Sequence, residues 1–168
     1  MTIEPELESS LRSIYEEIMW LARRPNVTPG RARAWYTHIM AESVKRRVRR
    51  FTGQVSRAAV TGEESLMLEH FMRIQTNLSS LVERHLAADT PNAEEFVQLV
   101  VECEQVHIVS RSENYAAMRA KGDYVVAGIE LMDWSTVAPE RQATLWRTML
   151  RGRVANALGF LPVTATKA

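Results

Sequence analysis

Six cations crowd into thirteen positions of this chain: Lys45, Arg46, Arg47, Arg49, Arg50 and Arg57. Guanidinium groups are planar forks that hold two phosphate oxygens at once, and a row of them displaces the counterions of a nucleic acid, so such a run suits a phosphate backbone. At about 100° per residue, Arg46, Arg50 and Arg57 lie opposite the apolar positions Val44, Val48, Phe51 and Val55, with Lys45, Arg47 and Arg49 on the flanks. This basic helix face is the expected nucleic-acid site, and its contacts are expected to be with backbone rather than bases. A recognition helix on a tight turn is absent, because the expected helices are long and their turns contain proline. The competing expectation is that these cations pair with acids of the same chain.

Other residues carry less chemistry. Glu104 and His107 have the spacing that puts a carboxylate and an imidazole on one helix face in di-metal bundles. A second such pair is missing, and His38 with Glu42 or Glu69 beside His70 does not complete the set, so no metal and no cofactor is expected. The string Val106-His107-Ile108-Val109-Ser110-Arg111-Ser112-Glu113 resembles the first strand of HNH nucleases over these eight residues. No histidine follows His107 and the paired cysteines of that family are missing, so the resemblance implies no activity. Glycine-rich phosphate loops, Gly-x-Ser-x-Gly and Cys-x-x-Cys are also missing, so no catalytic residue is nominated and a non-enzymatic role is expected. Cys103 lies among Phe96, Val97, Leu99, Val100 and Val101 and is expected as a small core thiol.

The elements expected to position the basic face come from apolar spacing. Leu7, Leu11, Ile14, Ile18 and Leu21 alternate by four and three, which predicts a helix ended by Pro25, Pro29 and Gly30. Ala41, Val44, Val48, Phe51, Val55 and Ala58 predict a second helix over 31–60, and Met67, Phe71, Ile74, Leu78, Leu81 and His85 a third beginning at Glu63-Glu64. Phe96, Leu99, Val100, Cys103 and Val106 predict a fourth beyond the turn at Asp89-Thr90-Pro91-Asn92. The expected fold is therefore all-α: an antiparallel bundle of about four long amphipathic helices with a smaller C-terminal helical segment packed across it. Within that segment, Ser112-Glu113-Asn114 caps a short helix to Lys121, stopped at Gly122, and 123–134 reads equally as buried helix or short strand. Pro139 opens a last helix through Trp146, Met149, Leu150 and Val154. A single domain over 1–168 is expected, with 1–106 as the bundle, 107–160 as the C-terminal segment and 161–168 as a flexible tail.

Composition sets the outer limits. With 168 residues, 46% hydrophobic and 24% charged, the chain is long enough to bury a core and is not of disordered composition. A basic leader followed by an apolar run is absent, as is any stretch near about 18 uninterrupted apolar residues, so a cytoplasmic protein without a membrane segment is expected. The net charge of +1 conceals segregation: −4 over 1–20, +9 over 21–60, −7 over 61–110 and +3 over 111–168. The functional expectation is a non-catalytic helical module binding DNA or RNA backbone, or another polyanion, through the basic face. The alternative is a protein-interaction or self-assembly module with no nucleic-acid role. Under either reading a homo-oligomer is expected, because four apolar stripes and the surface near Trp134 and Trp146 exceed what one bundle covers.

Overall fold

The computed structural model describes residues 3–39 and 42–162. In chain order the elements are α1 (Pro5–Ala22), α2 (Pro29–Ala34, prolonged by a π turn Trp35–Ile39), α3 (Glu42–Val48), β1 (Arg50–Ser56), α4 (Arg57–Thr61), β2 (Leu66–His70), α5 (Ile74–Ala88), α6 (Ala93–Cys103), β3 (Gln105–Ser110), α7 (Arg111–Arg119), β4 (Leu131–Asp133) and α8 (Pro139–Leu145, prolonged by a π turn Trp146–Leu150). The fold is mixed α/β, with a four-stranded sheet, and the all-α bundle expected from the apolar stripes is overturned. Ala41 of the expected second stripe and residues 163–168 of the expected tail lie outside the described residues.

The chain forms two compact units, Met1–Val48 with Met72–Glu104, and Arg49–Phe71 with Gln105–Ala168. The first unit is helical. Leu7, Leu11, Tyr15, Ile18 and Met19 of α1 are buried with Ala32, Tyr36, Leu78, Leu81, Val82, Phe96, Val97 and Val100. The buried stripe of α1 includes Tyr15 and Met19, whereas Ile14 and Leu21 are only partly buried. Phe96 is the hub of this core, with the Tyr15 ring 5.2 Å away and the Tyr36 ring 6.1 Å away, edge-on.

In the second unit the strand order is β2-β3-β1-β4, with β1 and β3 parallel at the centre and β2 and β4 antiparallel at the edges. Ser56 and Ser110 end the two central strands, and each hydroxyl accepts the backbone N–H three residues on, so each strand turns directly into a helix. Glu113 completes a capping box with Ser110, and the cap of α7 is therefore Ser110 rather than the expected Ser112. One sheet face carries Phe51, Val55, Val106 and Ile108 into a core with Trp134, Leu145, Met149 and Leu150.

The second expected helix fails at Arg50. Phe51 and Val55 are four apart, which suits one face of a helix and one face of a strand equally, and Gly53 takes a φ of +85° that no helix contains. Between the pairs Phe51↔Val106 and Val55↔Ile108, β1 advances four residues while β3 advances two, so a bulge occupies Thr52–Gln54. The third expected helix starts at Ile74 rather than Glu63, because Leu66, Leu68 and His70 alternate with Met67 and Glu69 along β2. The fourth ends at Cys103, and Val106 belongs to β3, whose residues 106–110 are all buried, as a central strand's are. Asp123 to Gly128 forms turns and only Leu131–Asp133 is strand, with Val125 and Val126 exposed rather than buried.

Candidate polyanion-binding surface

The cations nominated from sequence do not form one helix face. Lys45, Arg46 and Arg47 lie on α3 of the first unit, Arg49 and Arg50 lead into β1 of the second, and Arg57 starts α4. The change from helix to strand at Arg50 breaks the 100° progression that had aligned Arg46, Arg50 and Arg57. Several are also engaged within the chain. Arg47 pairs with Glu4 at 3.0 Å and Glu6 at 3.5 Å, Arg46 faces Glu42 at 3.9 Å, and Lys45 donates to the Thr37 carbonyl at 2.7 Å. The Arg57 guanidinium forms a two-pronged pair with Glu130, at 2.7 and 2.6 Å, which holds that carboxyl below the usual range.

A different set of arginines stands without carboxylate partners among the described residues. Glu140 is the last acidic residue of the chain, and Arg147, Arg151 and Arg153 follow it, all exposed. Their internal contacts are with neutral groups: Arg147 Nε donates to the Ala143 carbonyl at 3.3 Å and Arg153 Nη1 to the Thr148 carbonyl at 3.1 Å. Arg151 lies 5.9 Å from the Trp146 ring centre. A guanidinium has five N–H donors, so a single backbone bond leaves most of each fork for another acceptor.

The local chain builds this surface from two segments. The π turn after α8 closes at Arg151, and Gly152 takes a φ of +68°, so the chain reverses between two arginines. The returning stretch of chain is tied to the start of β1: the Ala155 N–H donates to the Arg49 carbonyl at 2.8 Å. The Asn156 amide clamps Phe51, accepting its N–H at 2.9 Å and donating to its carbonyl at 2.8 Å. These three bonds hold the Arg151–Arg153 turn beside Arg49 and Arg50. Sequence charge counting missed it because acids earlier in 111–168 reduce the segment's balance to +3, although residues 141–168 contain none.

The other titratable groups are arranged differently. In the first unit, Tyr15 Oη accepts the Asn92 N–H at 2.9 Å, so its own proton goes to His85 Nδ1 at 2.7 Å, and His85 Nε2 then donates to Glu95 at 2.8 Å. Arg84 grips the same carboxylate at 2.6 and 3.1 Å, and with His85 it holds the Glu95 carboxyl down at about 2. Every member of this chain of bonds has a partner, and it ties α1, α5 and α6 together. Glu104 caps the end of α6 while His107 lies on β3, so their spacing is not helical and the metal-type pairing does not arise. Among the described residues no group of three or more histidine, cysteine, aspartate or glutamate side chains is placed to hold a metal ion. Cys103 is fully buried, and burial pushes its thiol up to about 11. No described helix is long and apolar enough to cross a membrane.

Comparisons with protein-family models, curated proteins and solved structures find no match to this chain.

Proposed function

We propose that the chain binds the phosphate backbone of nucleic acid through the second unit, with Arg147, Arg151 and Arg153 beside Arg49 and Arg50 as the contact surface. The observation that carries this is the contrast in pairing. Arg46, Arg47 and Arg57 face glutamates, whereas Arg147, Arg151 and Arg153 are exposed and meet only backbone, sulfur or aromatic groups among the described residues. A neighbouring carboxylate offsets the charge of its arginine and competes with a phosphate for it, whereas an arginine without one keeps its full charge for phosphate. Contacts of this kind follow the backbone and confer little base preference. A nucleic-acid ligand and a single buried thiol, Cys103, both fit a cytoplasmic setting.

Fluorescence anisotropy with labelled single- and double-stranded DNA and RNA at low salt tests the proposal. Binding that weakens steeply with salt, and that the variant R147Q/R151Q/R153Q largely loses, supports it. A wild-type protein that leaves every oligonucleotide free at low salt overturns it.

A further inference from the structure

His107 occupies the middle of β3 and is buried, yet it sits on the sheet face opposite Val106 and Ile108. The bulge in β1 aims Thr52 at it, with Thr52 Oγ1 2.6 Å from His107 Nδ1. Thr52 Oγ1 also receives the Gln54 N–H at 3.2 Å and lies 3.2 Å from the Val106 carbonyl. Only one assignment uses all three contacts: Thr52 donates to Val106 O and accepts from both Gln54 N–H and His107 Nδ1–H. That places the imidazole proton on Nδ1 and leaves Nε2 as a bare acceptor, for which no partner is present among the described residues. Burial also pushes the imidazole down to about 4, so the ring is neutral at ordinary pH.

Two aromatic rings flank this imidazole. Phe71, partly exposed, lies 5.4 Å from it between centroids, and Tyr124 lies 5.5 Å away and is turned edgewise. The Tyr124 hydroxyl is buried and has no hydrogen-bond partner among the described residues. A buried hydroxyl left unpaired costs about 1–3 kcal/mol, which a bound acceptor would recover. Burial, with Glu69 and Glu113 nearby, raises the Tyr124 pKa, so the group stays a donor and the surroundings disfavour an anion. Tyr124 rides on the Asp123–Gly128 turn, bounded by positive-φ residues Lys121, Gly122 and Gly128, with Val125 exposed at its tip.

We propose that Thr52, His107, Phe71 and Tyr124 form a binding site for an uncharged planar ring carrying a lactam edge. In that site the ring N–H donates to His107 Nε2, and the adjacent carbonyl accepts from the Tyr124 hydroxyl. The ring plane lies against Phe71, and the turn carrying Tyr124 lifts to admit it. A neutral ligand follows from the neutral imidazole and the two carboxylates; an edge carrying both a donor and an acceptor follows from the acceptor Nε2 and the unpaired Tyr124 hydroxyl, on rings whose centroids are 5.5 Å apart. The site is independent of the arginine surface, because its probe carries no phosphate.

The test is titration of the intact chain with uracil, followed through the His107 imidazole nitrogens by 15N NMR. 1,3-Dimethyluracil, which has the ring but no N–H, is the control. Uracil should move the His107 Nε2 resonance at saturating concentration and dimethyluracil should not. Tyr124→Phe, which removes only the unpaired hydroxyl, should weaken uracil about fivefold, the equivalent of one hydrogen bond of about 1 kcal/mol. Thr52→Val should shift the free imidazole toward mixed tautomers. Identical responses to the two ring compounds, no response to either, or full uracil binding by Tyr124→Phe would each overturn the proposal.

Discussion

Replacing Arg147, Arg151 and Arg153 together by glutamine removes three exposed positive charges and leaves every buried apolar side chain in the sequence, losing among contacts with those side chains only that of Arg153 with the Met149 sulfur. Exposed substitutions of this kind usually alter stability by under about 0.5 kcal/mol each, so the variant should fold and unfold cooperatively near the wild-type midpoint. If each guanidinium neutralises one phosphate of a duplex, each contributes about 0.9 to the slope of log affinity against log salt, or about 2.7 for the three. Between about 50 and about 200 mM salt, wild-type affinity should therefore fall about 40-fold further than that of the variant. The matched variant R46Q/R47Q/R57Q removes the same charge from arginines that already face glutamates. Anisotropy across that salt range is the assay, and the control variant should keep nearly the wild-type slope. Equal slopes for the two triple variants would refute the reasoning, because net charge rather than carboxylate-free arginines would then govern binding.

Three further outcomes follow from other parts of the molecule. Glu95 has its carboxyl depressed from its usual 4.5 to about 2, so its contribution to stability is present above about pH 4.5 and is lost as pH falls toward 2. Glu95→Gln should flatten the dependence of the urea midpoint on pH in that window, by a modest amount because the carboxylate is partly exposed. Gly53→Ala should destabilise by about 1–2 kcal/mol, seen as a lower Tm, because φ is +85° and the added Cβ would sit 3.3 Å from the Phe160 ring. Cys103, buried and raised to about 11, should resist iodoacetamide at pH 8 in the folded protein and react once urea unfolds it.

Helices whose buried faces run uninterrupted were legible in the sequence: α1 and the body of α6 follow their apolar spacing. Strands were not, for a geometric reason. A four-residue interval such as Phe51 to Val55 returns to the same face in both helix and strand, and only the φ of Gly53 and the pairing with β3 distinguish them. The Val106–Val109 stretch of β3 has no inward–outward alternation in its burial, as expected of a strand buried on both faces. The acids at 63–64 looked like a helix start; Glu64 instead accepts from the Ser112 N–H and hydroxyl and so supports the first turn of α7 across 48 residues of sequence. The arginine surface had a sequence signal, the absence of acids after Glu140. Its union with Arg49 and Arg50 depends on the Asn156 clamp, a long-range contact that local pattern does not encode.

Arginine side-chain NMR during titration with a short oligonucleotide tests the central claim most directly, with each Nε–H resonance assigned by single Arg→Lys variants. The Nε–H signals of Arg147, Arg151 and Arg153 should shift together and slow their exchange with water as the oligonucleotide is added, while those of Arg46 and Arg57 stay in place. Shifts confined to Arg46, Arg47 and Arg57, with Arg151 and Arg153 unmoved, would contradict the account.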